Sequence, residues 1–437
     1  MKLCFIGTGY VGLVSGVCFA DIGNHVICVD KNLDKINRLN IGDIPIYEPG
    51  LSEMVKKNVD VGRLSFSNDL IKSANKSDII FIAVGTPTSN DGVSADLSQV
   101  FKVAKTLKKN IKKSKIIVTK STVPLGTNDQ IDKILNGKKK NKLFKVVSNP
   151  EFLREGDAIK DFKYPDRVVI GSDDKIVIRT LNALYRPIIN KGAIFFASTR
   201  RAAELIKYAS NAFLATKISF INEIADLCEK ANVHVEDVAI GMGLDKRVGS
   251  RFLRAGPAYG GSCFPKDTKA LIHTSKKFKS QLSIVNSVIK FNNNRNLHIE
   301  KNICRILKNK IKNKNVCFLG VTFKANTDDI RDSAALYLIS KLSKKGANVK
   351  YYEPTGKKDF FDKNEKVKYF SDLYDAIKNN DLIIIHTEWD EFKSLDFARI
   401  KKNNKKVKIY DLRNLYDSKF FQKSNIFYYS IGRPLYA

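Results

Sequence analysis

At roughly 150 residues per domain, a chain of 437 residues is too long for one ordinary core and suggests about three. Seven cysteines, with neither CxxC nor Cys/His spacing, exclude a disulfide framework and a cysteine-based metal site, and read as the reduced inventory of the cytosol. A net charge of +31 invites a nucleic-acid reading. However, the runs Lys138-Lys139-Lys140 and Lys401-Lys402-Asn403-Asn404-Lys405-Lys406 fall between elements and carry no interleaved aromatics, so no nucleic-acid partner is expected.

Met1-Lys2 before an apolar run resembles the start of a signal peptide, but Gly7, Gly9 and Gly12 interrupt it and Asp21 comes too early. No apolar run reaches the roughly 18 residues of a membrane helix, and a cytoplasmic chain with no membrane partner is expected. Short β-rich runs then alternate with helical stretches, the pattern of a parallel sheet. The expected strands are Lys2–Ile6, His25–Val29, Asp78–Val84, Lys115–Thr119, Lys145–Ser148 and Arg167–Ile170. From about Thr199 to Ala231 runs one long helix punctuated by small residues, suited to close approach by another helix or by its copy in a dimer. A further helical stretch covers roughly 267–310. Alternation resumes with Asn315–Gly320, a helix at about 332–345, Asn348–Tyr352, Asp381–His386 and Lys406–Leu412. Val316-Cys317-Phe318-Leu319-Gly320 echoes Leu3-Cys4-Phe5-Ile6-Gly7, so the chain ends in a second nucleotide-fold-like domain, one lacking the downstream glycines.

Gly7-Thr8-Gly9-Tyr10-Val11-Gly12 follows a strand and opens a helix. The first glycine permits the tight turn, the second lets backbone approach a pyrophosphate, and the third allows close helix–strand contact. Asp30, at the end of the second strand, is placed to accept ribose hydroxyls and to repel a 2′-phosphate, so NAD is expected rather than NADP. Val84-Gly85-Thr86-Pro87 and Lys120-Ser121-Thr122-Val123-Pro124 put hydroxyl residues at two more strand ends, where open α/β sheets bind ligands. Far downstream, Gly260-Gly261-Ser262-Cys263 presents a thiol. A nicotinamide together with a thiol suits oxidation of a carbonyl to a carboxylate, because a thiohemiacetal has a hydride to give and a free aldehyde does not. Lys207 and Asn211, four apart, share one helix face, where an ammonium and an amide can stabilise an alkoxide or oxyanion. Asp267 is the candidate partner that orients Lys207 or water.

In order along the chain, Gly7–Gly12, Ser121-Thr122-Val123-Pro124, Asn149-Pro150-Glu151-Phe152-Leu153-Arg154-Glu155-Gly156, Glu204–Asn211, Gly260–Asp267 and Gly320-Val321-Thr322-Phe323-Lys324 resemble the nucleotide-sugar dehydrogenase family of UDP-glucose and GDP-mannose dehydrogenases. The resemblance spans Met1 to about Arg413. It implies an α/β fold of two Rossmann-like domains with parallel sheets, joined by a long central helix and a helical middle domain. The implied domains are 1–198 (NAD-binding), 199–310 (central, dimerisation) and 311–437 (UDP-sugar-binding).

The implied reaction takes UDP-glucose, two NAD⁺ and water to UDP-glucuronate and two NADH, with Cys263 as nucleophile. Thr122 and Glu151 are implied to hold the water that carries protons. Cofactor contacts fall by resemblance on Val11, Asp30, Lys35, Thr86, Thr122, Glu155, Lys266 and Arg331. Substrate contacts fall on Glu151, Phe152, Leu153, Arg154, Glu155, Lys207, Asn211, the loop Phe252-Leu253-Arg254-Ala255-Gly256, Gly260 and Lys324. Arg247 matches a position that reaches the neighbouring subunit's substrate, which implies a homodimer. Pro257-Ala258 departs from the family's small and glycine residues there, which touches the choice of glucose over another nucleotide sugar. GDP-mannose dehydrogenases tend to have Leu where Phe264 stands, and dehydrogenases of N-acetylated UDP-sugars His where Ser262 stands.

Overall fold

The computed structural model describes residues 1–139, 141–404, 406–421 and 426–434. Lys140 and Lys405 of the basic runs, and the last three residues of the expected third domain, lie outside them. The chain divides into two compact units, Met1–Ser210 with Lys269–Ser280, and Asn211–Thr268 with Gln281–Ala437.

The first unit holds β1 (Lys2–Ile6), β2 (His25–Val29), β3 (Leu64–Ser67), β4 (Ile79–Ile82), β5 (Lys115–Thr119), β6 (Phe144–Ser148), β7 (Arg167–Gly171) and β8 (Ile194–Ser198). Among the described residues they form one sheet in the order β3-β2-β1-β4-β5-β6-β7-β8. The order reverses between β1 and β4, so a crevice opens there at the strands' carboxyl ends. Ile79-Ile80-Phe81-Ile82 is buried throughout, because helices cover both faces of a parallel sheet. The parallel sheet expected from sequence has one departure: β7 meets β6 antiparallel and only at the tip, Ser148 against Gly171. The segment between these two strands is the Asn149–Gly156 turn and the short helix Ala158–Lys163, not a full crossover.

The second unit repeats the topology with β9 (Asn315–Leu319), β10 (Asn348–Tyr352), β11 (Val367–Tyr369), β12 (Leu382–Ile385), β13 (Lys408–Asp411) and β14 (Phe427–Ser430), in the order β11-β10-β9-β12-β13-β14. All its strand pairs are parallel. The fold is therefore α/β with two Rossmann-like sheets.

The long helix is Arg200–Ala231, started by the Thr199 hydroxyl accepting from Ala202 N–H and ended at Asn232 in the left-handed region (φ 58°). The helical stretch expected over roughly 267–310 consists of two helices, Phe264–Lys277 and Ser283–Ile306, with Lys279 left-handed (φ 53°) between them. No helix of the described residues is long and apolar enough to cross a membrane.

Candidate active site

The fingerprint turn takes the shape its glycines require. Gly7 sits at φ 101°, where a side chain would also meet the Ala83 carbonyl, and a Cβ on Gly12 would lie 1.9 Å from the Gly7 oxygen. Gly9 faces open space, at the N-terminus of helix Tyr10–Asp21, which leaves room for a phosphate on the helix N–H groups. Asp30 accepts from Thr8 N–H at 3.0 Å and Thr8 Oγ1 at 2.8 Å, and from Asn32 N–H; Lys35 Nζ lies 3.9 Å away. Half-burial works against its charge, but these donors and the Lys35 ammonium hold its carboxyl below the usual range. The carboxylate therefore stays ionised at neutral pH, partly exposed beside the phosphate turn. Asp30→Ala is expected to raise the KM for NAD⁺ about tenfold, about 1.4 kcal/mol, and to narrow the preference over NADP⁺; initial rates with both cofactors measure it.

Around this crevice Thr86 Oγ1 donates to the Thr122 carbonyl at 2.9 Å and Ser121 Oγ to the Val84 carbonyl at 2.7 Å, joining the ends of β4 and β5. The Tyr10 hydroxyl is bonded to Glu48, whose carboxylate also takes Gly156 N–H and Ala158 N–H, both at 2.7 Å. That fixes the Glu151–Gly156 turn against the fingerprint helix. Glu151 and Lys207 form a buried ion pair, Nζ to Oε1 3.1 Å, and Leu153 N–H donates to the other carboxylate oxygen at 2.6 Å. The Phe152 ring receives Arg167 at 3.9 Å and Lys207 Nζ at 5.3 Å. Arg154 instead pairs bidentately with Asp161 on the surface. Glu155 is half-buried in the same turn.

Buried Glu204, one turn before Lys207, accepts from Gly126 N–H at 2.6 Å and from Asn128 N–H at 2.7 Å, tying the Thr122 loop to the long helix. Burial raises its carboxyl above the usual range, against those donors.

In the second unit Cys263 directly precedes helix Phe264–Lys277, and its carbonyl accepts from Asp267 N–H at 2.8 Å. A helix N-terminus favours negative charge on sulfur there. The thiol is partly exposed. Cys4, Cys18, Cys28 and Cys317 are sealed in the two cores, where burial pushes the thiols of Cys4, Cys18 and Cys317 up to about 12. Asp267 is almost fully buried and takes Asn211 Nδ2 at 2.6 Å as well as the Lys266 ammonium. Asp267 therefore orients the Asn211 amide, and Lys266 is engaged with a carboxylate.

The loop carrying the expected substrate contacts is held from several sides. Phe252 is left-handed (φ 67°), an uncommon conformation for a bulky residue, and strain of this kind concentrates at ligand sites. Leu253 and Ala255 are buried and Arg254 exposed. Asn222 and Arg295 clamp Gly256, whose N–H donates to Asn222 Oδ1 at 2.8 Å, while Asn292 brackets both backbone groups of Tyr259. Gly260 and Gly261 lie too close to Asp332 and Phe323 for any side chain, and Gly261 N–H donates to the Arg331 carbonyl at 2.8 Å. The cysteine loop thus packs on the carboxyl ends of β9 and its neighbours, beside Lys324.

Arg413, two residues past β13 and not singled out from the sequence, donates to the His386 and Phe323 carbonyls at 2.8 and 2.7 Å, pairs with Glu388 at 2.9 Å and approaches Gly256. It is a cation just beyond the carboxyl end of a strand, and that position was the signal. Arg331 pairs with Asp329, and Arg247, largely exposed, with Asp245.

A dinucleotide fingerprint in an open α/β sheet and a partly exposed cysteine at a helix start, with a buried amide and carboxylate beside it, define an NAD-dependent dehydrogenase. The UDP-glucose/GDP-mannose dehydrogenase family matches at residues 1–189 (NAD binding domain), 201–294 (central domain) and 317–418 (UDP binding domain). A UDP-glucose 6-dehydrogenase of Rhizobium meliloti is 48% identical over 99% of the chain and 100% of its own length. One from Bacillus subtilis is 44% identical over 99% of the chain and 93% of its own length. A solved UDP-glucose dehydrogenase from Pyrobaculum islandicum aligns with TM-score 0.90 and 34% identity, covering 99% of this chain and 97% of that one. The chain belongs to the UDP-glucose/GDP-mannose dehydrogenase family and uses NAD.

Proposed function

We propose that this chain oxidises UDP-glucose twice at C6, giving UDP-glucuronate and two NADH. The carrying observation is the accessible thiol of Cys263 at a helix start, in a protein whose full-length relatives bear that activity in their names. NAD⁺ held by Gly7–Gly12 and Asp30 supplies the hydride acceptor; the rest falls to the chain's own residues.

The Lys207 ammonium and the Asn211 amide, four apart on one helix, stabilise the alkoxide as the C6 hydroxyl loses its proton through a water held by Thr122 and Glu151, and loss of the C6 hydride to a first NAD⁺ leaves the aldehyde. The Cys263 sulfur then bonds to the aldehyde carbon, whose oxygen takes the same stabilisation, and the thiohemiacetal gives up its hydride to a second NAD⁺, leaving a thioester. Water adds to the thioester, the carbon–sulfur bond breaks and the carboxylate departs. Phe252–Gly256, Gly260 and Lys324 bind the nucleotide sugar, with Arg413 beside them. Phe213, Phe220 and Leu227 recur every seventh residue on the long helix with their side chains exposed, which supports a homodimer through that face, to which Arg247 would contribute. Incubation with UDP-glucose, GDP-mannose and UDP-N-acetyl sugars tests the reading: two NADH per UDP-glucose are expected, and turnover confined to another sugar nucleotide would reassign the substrate.

A further inference from the structure

Lys120 is the residue after β5, next to Ser121-Thr122, and its side chain is fully enclosed in the first unit. Its ammonium donates to Asn149 Oδ1 at 3.2 Å and to the Tyr185 hydroxyl at 3.3 Å. Tyr185 in turn donates to Asn149 Oδ1 at 2.5 Å, and Asn149 Nδ2 to the Val169 carbonyl at 2.9 Å. Among the described residues no carboxylate lies within ion-pair distance of Lys120. The charged and titratable groups around it are Glu151, which follows Asn149 by two residues, Lys207 on the long helix, Tyr185 on helix Lys175–Ile189, and Arg167 on β7, stacked on Phe152. Two buried ammoniums therefore surround one buried carboxylate. Such an excess of buried charge burdens the fold and persists where function needs it.

We propose that Lys120 is a positioning residue for the oxidation: pinned by Asn149 and Tyr185, it anchors the Asn149–Glu151 turn and adds a second positive charge behind the Glu151–Lys207 pair. That potential favours the negative charge that develops on the substrate oxygen. The inference rests on the oxidation proposed above. Burial pulls the Lys120 ammonium down to about 8, with the Glu151 carboxylate opposing and the Lys207 ammonium reinforcing. The folded state resists this proton, so the burden is full below about pH 8 and lifts as pH rises above it.

The test is Lys120→Met, which keeps the volume and removes the charge. At pH 7 the variant is expected to melt at the same temperature or higher, while kcat with UDP-glucose and NAD⁺ falls about 30-fold or more and KM for UDP-glucose changes by less than about threefold. The rise in wild-type melting temperature above pH 8 is expected to vanish. Tyr185→Phe, which keeps the ammonium and removes one acceptor, is expected to lower kcat by about threefold to tenfold at unchanged KM. A lower melting temperature with kcat falling in step, failure of Lys120→Met to fold, or an unchanged kcat would each overturn the proposal. Wild-type protein inert toward UDP-glucose would instead overturn the substrate reading, with the melting curves still reporting on the buried charge.

Discussion

Cys263→Ser is expected to stop steady NADH production from UDP-glucose, lowering kcat by about a thousandfold or more. A serine hydroxyl at that position stays protonated near neutrality, whereas a thiol at a helix start has the dipole favouring its anion. Without the sulfur adduct, the aldehyde of the first oxidation has no tetrahedral form from which a second hydride can leave. Slow aldehyde formation can survive, so the variant is expected to give at most one NADH per sugar nucleotide against two for the wild type. Counting NADH against UDP-glucose consumed measures this directly. In the wild type, acid quenching during turnover is expected to leave the glucuronyl mass on the peptide that contains Cys263. Two NADH per sugar from the serine variant, or the adduct on another peptide, would remove the nucleophile from the scheme.

The second large effect is expected at Lys207. Truncation to Ala takes away the charge facing the developing oxyanion, worth about 100- to 1000-fold in kcat. It also leaves Glu151 buried without the ammonium 3.1 Å away, which costs roughly 3–5 kcal/mol of stability. The two losses are separable. Adding Glu151→Gln to Lys207→Ala neutralises the stranded carboxylate and is expected to recover most of the melting temperature. Because Glu151 also holds the proton-carrying water, kcat is compared with that of Glu151→Gln alone, below which the double variant is expected to lie by a further factor of about 100. A double variant as fast as Glu151→Gln alone would mean that Lys207 acts only as a structural counter-ion.

The strands read correctly from sequence are β1, β2, β4, β5, β6 and β7 of one sheet and β9, β10, β12 and β13 of the other. Leu64–Ser67, Ile194–Ser198, Val367–Tyr369 and Phe427–Ser430 were missed, and all four are edge strands. Interior strands such as Ile79–Ile82 announce themselves as unbroken apolar runs because both faces are covered. An edge strand is short and half solvated, and Ile194–Ser198 buries none of its residues fully, so no pattern marks it. The break after Lys277 falls in Lys-Phe-Lys-Ser, without glycine or proline, and only the left-handed Lys279 reveals it.

Motif residues were legible because glycines and a thiol carry their chemistry in their identity. The roles of Lys120, Asn149, Asn222, Arg295 and Arg413 were not, although Lys120 and Asn149 stand inside motifs. A lysine or an asparagine reads as surface until the fold encloses it, and the long-range contacts that enclose these residues leave no local trace.

Glu353 has a further consequence. It stands after β10 where Asp30 stands after β2, yet it is walled in, gripping Val321 N–H at 2.7 Å and Thr322 N–H at 3.2 Å, while Thr387 fills the space against Gly320. The later half therefore keeps the topology of a cofactor domain with its recognition carboxylate converted into an internal strut. It is no dormant second dinucleotide site that a few substitutions could reawaken, since freeing that acid would unmoor the very turn meant to cradle the phosphates.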